Sequence, residues 1–191
     1  VSATATHARL PMVNLALGAL RQLTAAQFAQ FSQTMQWLIE SDNQIELFEF
    51  VLQKIIRHHL EAQFVTSRPP VVQYYTLKPL VPDCVVILSA LAHVGSTDPA
   101  EIEKAFETGA PYLRAPARDF NLLPREQCGV AQVAVALDRL MLSVPNIKKN
   151  LIEACTHTVG ADGVIAESEA ELLRAVADTL DCPIPPFVPA E

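Results

Sequence analysis

A chain of 191 residues and 20.9 kDa, half of it hydrophobic and 18% charged, has room for one domain or two small ones and is too apolar for intrinsic disorder. Its 6 glycines, 14 prolines and 6% aromatics suit helices punctuated by prolines, with cores of Ala, Leu, Val and Ile, better than a turn-rich β fold. The formal charge of −7 excludes a general nucleic-acid binder, which needs a basic footprint. The imbalance sits at one end: residues 153–191 hold 8 acidic side chains and a single basic one, Arg174, whereas residues 1–152 are balanced. Such a segment repels phosphate and anionic lipid, and favours cations or basic protein surfaces.

In chain order, residues 11–23 form a short apolar helix candidate. Thr24 opens a capping box closed by Gln27, and Phe28, Phe31, Met35, Leu38 and Ile39 follow at helical spacing. Trp37 falls off that face, as an interface anchor or against the Pro-rich segment. A second helix over about 46–64 turns Phe48, Val51, Leu52, Ile55 and Ile56 inward and ends in Arg57, His58 and His59, where positive charge suits the helix dipole.

Residues 66–82, with four prolines, read as loop, and Tyr74–Leu77 is too short for a convincing strand. Val85–Val94 is apolar on all sides, the pattern of a central helix closed by Gly95. Asp98-Pro99-Ala100-Glu101 is a helix start that runs toward Tyr112. Residues 115–123 read as loop. Pro124 is expected to open a helix with Val130, Val133, Leu137 and Leu140 inward. Pro145 starts the next, with Ile147, Leu151, Cys155 and Val159 inward, and the last spans about 167–180. The sum is an all-α bundle of about eight helices, expected as a single domain over 1–182 with a Pro-rich tail at 183–191.

Cys84, Cys128, Cys155 and Cys182 form no CxxC pair, and their apolar settings predict buried reduced thiols in a reducing compartment. No secretory pattern opens the sequence. Val85–Val94 is about half the ~20 residues of a membrane span, so the expectation is a soluble chain without direct membrane insertion.

Two segments align without gaps: residues 39–49 (IESDNQIELFE) and 159–169 (VGADGVIAESE). Asp42 matches Asp162, Ile45 matches Ile165, Glu49 matches Glu169 and Leu52 matches Leu172. Each copy reads as helix, acidic turn, helix, so two pseudo-repeated units are expected within one bundle. Laid on an EF-hand loop, Asp162 falls at position 5, Gly163 at 6 and Glu169 at 12. Positions 1 and 3 are then Thr158 and Gly160, or Leu38 and Glu40 in the first copy. Leu and Gly supply no side-chain oxygen, so a high-affinity EF-hand site is not expected. The structural reading gives the Asp the turn, the Ile a place in the core, and the Glu the start of the next helix.

The stretch 161–173 (ADGVIAESEAELL) resembles the acidic turn of TerB-like domains, the helical tellurite-resistance-associated modules with two such repeats. Together with 38–49 (LIESDNQIELFE), 122–128 (LLPREQC) and 172–186 (LLRAVADTLDCPIPP), it also resembles a region that follows the catalytic domain in bacterial HtpX-like zinc metallopeptidases, membrane proteases related to the CAAX prenyl proteases. The resemblance runs from about Leu10 to Pro186. It implies a non-catalytic interaction or regulatory domain, cytoplasmic and tethered to the inner membrane through its parent. The domain would present an acidic surface to a protein partner or to the parent's own catalytic domain. The binding residues so implied are Asp42, Glu46 and Glu49 in the first copy and Asp162, Glu167, Glu169 and Glu171 in the second. The alternative is a divalent-cation-binding module of the stress or tellurite-resistance type, using Asp42, Glu49, Asp162 and Glu169.

The peptidases' His-Glu-x-x-His is missing here: among His7, His58, His59, His93 and His157, none precedes a Glu and no two lie four apart. His58 and His59 point about 100° apart on a helix. Zinc is therefore expected in the parent's catalytic domain, and this chain carries neither a recognisable catalytic set nor a resident cofactor. Ser89 and Ser143 read as tolerated polar residues and His93 as a satisfied core histidine. His157, beside Cys155 and the acidic turn, is a transition-metal candidate without named partners. Arg114, Arg118, Arg125, Lys148 and Lys149 read as solvated surface, with a basic docking patch as the alternative.

Overall fold

The computed structural model describes residues 15–41, 54, 56, 60, 64, 71–116 and 120–182, with the side chains at 36, 38–41, 167 and 171 outside that description. The chain divides into two compact units, Val1–Pro69 and Pro70–Glu191. Every regular element among the described residues is helical, as composition and periodicity require; the one extended feature is an isolated parallel bridge between Tyr74 and Ser143.

In the first unit, helix α1 covers 15–20 and α2 covers Ala25–Ser41. The expected capping box forms at the start of α2. The Thr24 N–H donates to Gln27 Oε1 at 2.9 Å, and the Gln27 N–H donates back to Thr24 Oγ1 at 3.3 Å, so two otherwise orphaned amides are satisfied. Leu17, Phe28 and Leu60 are buried, with Leu20, Leu23, Phe31, Ile56 and Phe64 against them. Phe28 and Phe64 stack with ring centroids 4.7 Å apart. Lys54, Ile56, Leu60 and Phe64 are helical, in agreement with a second helix there. Trp37 is exposed. The first acidic turn, with Asp42, Glu46 and Glu49, and the residues His58 and His59 lie outside the described residues.

The second unit is built around α3, Val81–Gly95, which touches all four of the helices that follow it: α4 (Pro99–Gly109), α5 (Val130–Met141), α6 (Pro145–Val159) and α7 (Glu167–Thr179). Cys84, Ile87, Leu88, Ala90, Leu91 and Ala92 are buried, which explains why this stretch is apolar all round. With the 3-10 turn Lys78–Leu80 before it, it makes an 18-residue stretch long and apolar enough to cross a membrane; here it is the core helix of the unit. Pro82 sits in its first turn, where a missing N–H costs nothing.

Helix α4 begins as the sequence requires. Asp98 Oδ1 accepts the Ala100 N–H at 2.9 Å and Pro99 follows the cap, while Glu101 takes the Ser96 hydroxyl. Pro124 does not open an α-helix. It precedes a 3-10 turn, Arg125–Gln127, and α5 starts only at Val130, because Gly129 is extended at the cap (φ −75°, ψ −176°). The expected inward faces hold in α6 and in most of α5: Val133, Leu137 and Leu140, then Ile147, Leu151, Cys155 and Val159, are buried, whereas Val130, at the first residue of α5, is only half-buried. Helix α7 ends in a Schellman-type cap. The Cys182 N–H donates to the Ala177 carbonyl at 2.9 Å, with Asp181 left-handed at φ 57°.

Several polar groups in the interior tie separate segments of this unit together. The His93 Nε2–H donates to the Leu123 carbonyl at 2.9 Å, and Ser89 Oγ accepts the Leu123 N–H at 3.0 Å, so the loop before α5 is stapled to α3. Ser143 Oγ donates to the Leu140 carbonyl at 2.6 Å. Cys84, Cys128 and Cys155 are buried, and burial pushes the Cys84 thiol up to about 12 and the Cys128 thiol up to about 11, so both stay protonated and inert.

Candidate functional site

The second acidic turn joins α6 to α7, and its shape follows from two hydrogen bonds and one glycine conformation. Gly160 ends α6 and its carbonyl accepts the Gly163 N–H at 3.2 Å. Gly163 has φ +82°, a conformation that glycine adopts without the penalty a Cβ would bring. Asp162 Oδ1 accepts the Val164 N–H at 2.9 Å, an Asx-type turn that reverses the chain. The chain then passes through 164–166 outside any regular element, with Ala166 extended at the cap of α7.

Glu169 closes the turn from the other side. Its Oε2 accepts the Ala166 N–H at 2.9 Å, the return half of a capping box; Ala166 carries no acceptor to supply the other half. The Glu169 side chain is only 8% exposed and lies against Gly95 at the end of α3, where a Cβ would stand 2.9 Å from its Cδ. Gly95 thus makes room for a carboxylate that links α7 to α3. Burial raises the Glu169 pKa above its ordinary value of 4.5 and the Asp162 charge adds to the rise, while the Ala166 N–H opposes it.

A carboxyl whose folded pKa is raised binds its proton more tightly folded than unfolded, so it adds stability below 4.5 and loses it as pH rises through the folded value. Glu169→Gln keeps an acceptor for Ala166 and removes the buried charge. Its melting temperature relative to the parent chain is expected to be most favourable near neutral pH and to fall as pH is lowered toward 4.5. A melting series from about pH 4 to 8 reads this directly. A difference that is flat, or that grows on acidification, refutes the assignment.

The sequence places Ile165 in the core, and the structure does not. Ile165 is 40% exposed and Val164 is 69% exposed. Both lie between the helices, where helical periodicity no longer decides which side chains turn inward. The buried role falls to Ala170, Leu172 and Leu173 one turn later. Of the acidic residues proposed from sequence, Asp162 and Glu169 face the same turn. Glu167 and Glu171 stand in the first turns of α7 with their side chains outside the description, and Asp42, Glu46 and Glu49 are outside it altogether.

The remaining candidates are engaged elsewhere. His157 stacks on Tyr112, ring centroids 3.6 Å apart, so its face is taken by an aromatic ring. Arg114 pairs with Glu153 at 3.7 Å, and Arg125 Nη2 donates to the His93 carbonyl at the end of α3 at 3.1 Å. Arg118 lies outside the described residues. Among those residues no group of three or more His, Cys, Asp or Glu side chains is placed to hold a metal ion.

One polar cluster escaped the sequence reading. Asp83, buried in the first turn of α3, meets Arg139 of α5 at 3.2 Å, and the same guanidinium reaches the Pro79 carbonyl at 3.1 Å and Tyr74 Oη at 3.4 Å. Burial raises the Asp83 pKa, the Arg139 charge opposing it. With the Gln73 and Tyr74 N–H groups donating to the Leu142 carbonyl, and Val144 N–H to the Tyr74 carbonyl, the cluster straps residues 73–80 onto the α5–α6 corner. Its signal in sequence was the Pro82-Asp83 helix start, which names the acid and not its partner 56 residues away.

A family model described as tellurite resistance protein TerB matches residues 91–188, just over half of the chain and including residues 159–169. No curated protein and no solved structure matches.

Proposed function

This chain belongs to the TerB family, and from that premise we propose that it is a non-catalytic binding module that docks a basic protein segment on its acidic end. The observation that carries the reading is the charge of residues 153–191, 8 acidic side chains against Arg174 alone, with the acidic turn at its centre. Focused charge of one sign raises encounter rates with a partner of the other.

The divalent-cation alternative draws on the same acids, and the turn's geometry weighs against it. Asp162 and Glu169 each spend a carboxylate oxygen on a backbone N–H, which leaves one oxygen of each for a cation. The parent context is a further proposal. In it the module is the cytoplasmic C-terminal region of an HtpX-like membrane peptidase whose catalytic domain holds the zinc. It rests on residues 38–49, 122–128 and 172–186 alone. Apolar spans and a His-Glu-x-x-His encoded upstream would support it, and a different upstream sequence would remove it.

The docking reading is tested with a fluorescein-labelled peptide of four Ser-Lys-Lys-Ser repeats. Anisotropy should report binding to the full chain that weakens steeply between low and physiological salt, and that is lost in Glu167→Lys/Glu171→Lys. Binding insensitive to salt and to charge reversal overturns the reading, as does heat on titration with calcium, magnesium or zinc in its place.

A further inference from the structure

We propose that the Pro-rich tail of this chain, residues 183–191, docks back on its own second unit, over an apolar patch made by Val71 and Tyr75. The inference is independent of the docking reading above, because the patch stands at the start of α6 and the acidic turn at its end.

Burial alternates along the strap that carries the patch. Val71, Gln73 and Tyr75 are exposed, and Val72 and Tyr74 are half-buried, the pattern of a chain laid strand-fashion on a surface. Its inner side is held by the parallel bridge between Tyr74 and Ser143 and by the Val144 N–H, which donates to the Tyr74 carbonyl at 3.0 Å. The Arg139 guanidinium, 5.6 Å from the centroid of the Tyr74 ring, keeps that ring inward. The outer side is left with Val71 at 74% and Tyr75 at 72% exposure. Val135, also exposed, stands one turn before Arg139 on the same side of α5 and extends the apolar surface. A held backbone that presents an exposed aromatic among β-branched residues is the kind of surface on which Pro-rich segments dock.

The place where the tail begins names the occupant. Helices α6 and α7 pack against each other across the short connection 160–166, so they run antiparallel, and the end of α7 lies beside the start of α6. The charge of Lys148, near that start, accordingly reaches the Cys182 thiol. Val144, the residue before α6, is the one bonded to Tyr74, so the tail leaves the unit at the end where the patch stands. Residues 183–191 read PIPPFVPAE, with four prolines in nine residues. Such a composition favours the polyproline form, whose three residues per turn set Ile184 and Phe187 on one edge and whose ~3.1 Å rise gives the tail a reach of about 28 Å. A tether this short supplies an effective concentration on the order of millimolar, so a modest contact suffices. The family match also continues past α7 to residue 188, which places Ile184 and Phe187 within the matched stretch.

The test compares amide spectra of three 15N-labelled full chains: the parent, Ile184→Ser/Phe187→Ser in the tail, and Val71→Ser/Tyr75→Ser in the patch. The expected result is reciprocal. The tail variant shifts the amides of residues 71–77, and the patch variant shifts those of 184, 187 and 188, while residues 160–171 stay in place in both. The melting temperature of the patch variant should match the parent, since Val71 and Tyr75 are exposed; should that variant melt early, the tail variant decides alone. A tail variant that leaves residues 71–77 unmoved overturns the proposal. So do shifts at 71–77 that fade on roughly tenfold dilution of the parent, because they assign the patch to the tail of a second copy. Loss of the Lys-peptide response at 160–171 bears on the docking reading and leaves this one standing.

Discussion

Gly109→Ala is expected to lower the melting temperature by several degrees, although alanine is the better helix former by about 0.8–1 kcal/mol. Gly109 is buried at the end of α4, where α4 and α6 touch. A Cβ there would run into Thr158 Oγ1 and would stand 2.6 Å from the Ala154 carbonyl oxygen. That carbonyl is not free to move: it is in the body of α6 and already accepts the Thr158 hydroxyl at 3.1 Å. Relief requires the two helices to separate, and overpacking of this kind costs about 1–3 kcal/mol. At about 2–4 °C per kcal/mol for a domain of this size, the loss is readily measured by thermal melting. Gly18→Ala supplies the opposite sign. Gly18 lies in α1 with open space around its Cα, so alanine there should stabilise by about 0.5–1 kcal/mol. A Gly109→Ala protein as stable as the parent would mean that α4 and α6 are not in this close contact.

Leu173→Ala is expected to cost about 2–5 kcal/mol, the range for emptying a fully buried leucine site. Leu173 is fully buried on α7, one turn beyond Glu169 and on the same face. It seats α7, which touches α3, α5 and α6. The loss should therefore appear twice, as a lower denaturant midpoint and as weakened peptide binding, because the seat of α7 also sets the aim of the turn before it. Leu173→Met, which keeps most of the volume, should recover most of both. A cost below about 1 kcal/mol would place α7 loosely on the bundle and remove the rigid turn on which the docking reading depends.

Local chemistry was readable from sequence wherever a few adjacent residues decide the structure. Thr24 and Gln27 close their box, Asp98 caps α4 ahead of Pro99, and the unbroken apolar run of Val85–Val94 becomes the helix that the other four surround. The inward faces of α5 and α6 follow the 3.6-residue period because both helices are long enough for the period to act. Failures fall where that period stops. Ile165 matches an apolar position in its repeat but lies between α6 and α7, outside either helix, and is 40% exposed. Pro124 carries a helix-start signal, yet Gly129 resets the chain before α5 can begin. The Asp83–Arg139–Tyr74 cluster joins residues 56 and 65 positions apart, a pairing that only the fold creates. At the acidic turn the sequence shows that Asp162 shapes the reversal and that Glu169 opens the next helix, as their hydrogen bonds bear out, whereas the side chains the turn displays lie between helices, where no period acts.

The proposed docking puts the basic partner on the acidic end of the second unit. The direct measurement is a two-dimensional amide spectrum of the 15N-labelled full chain at low salt, titrated with the peptide of four Ser-Lys-Lys-Ser repeats. The expected result is a set of progressive shifts confined to residues 160–171 and reversed by added salt, with residues 73–80 unmoved. Shifts centred on any other part of the chain, or a spectrum that does not change, would contradict the account.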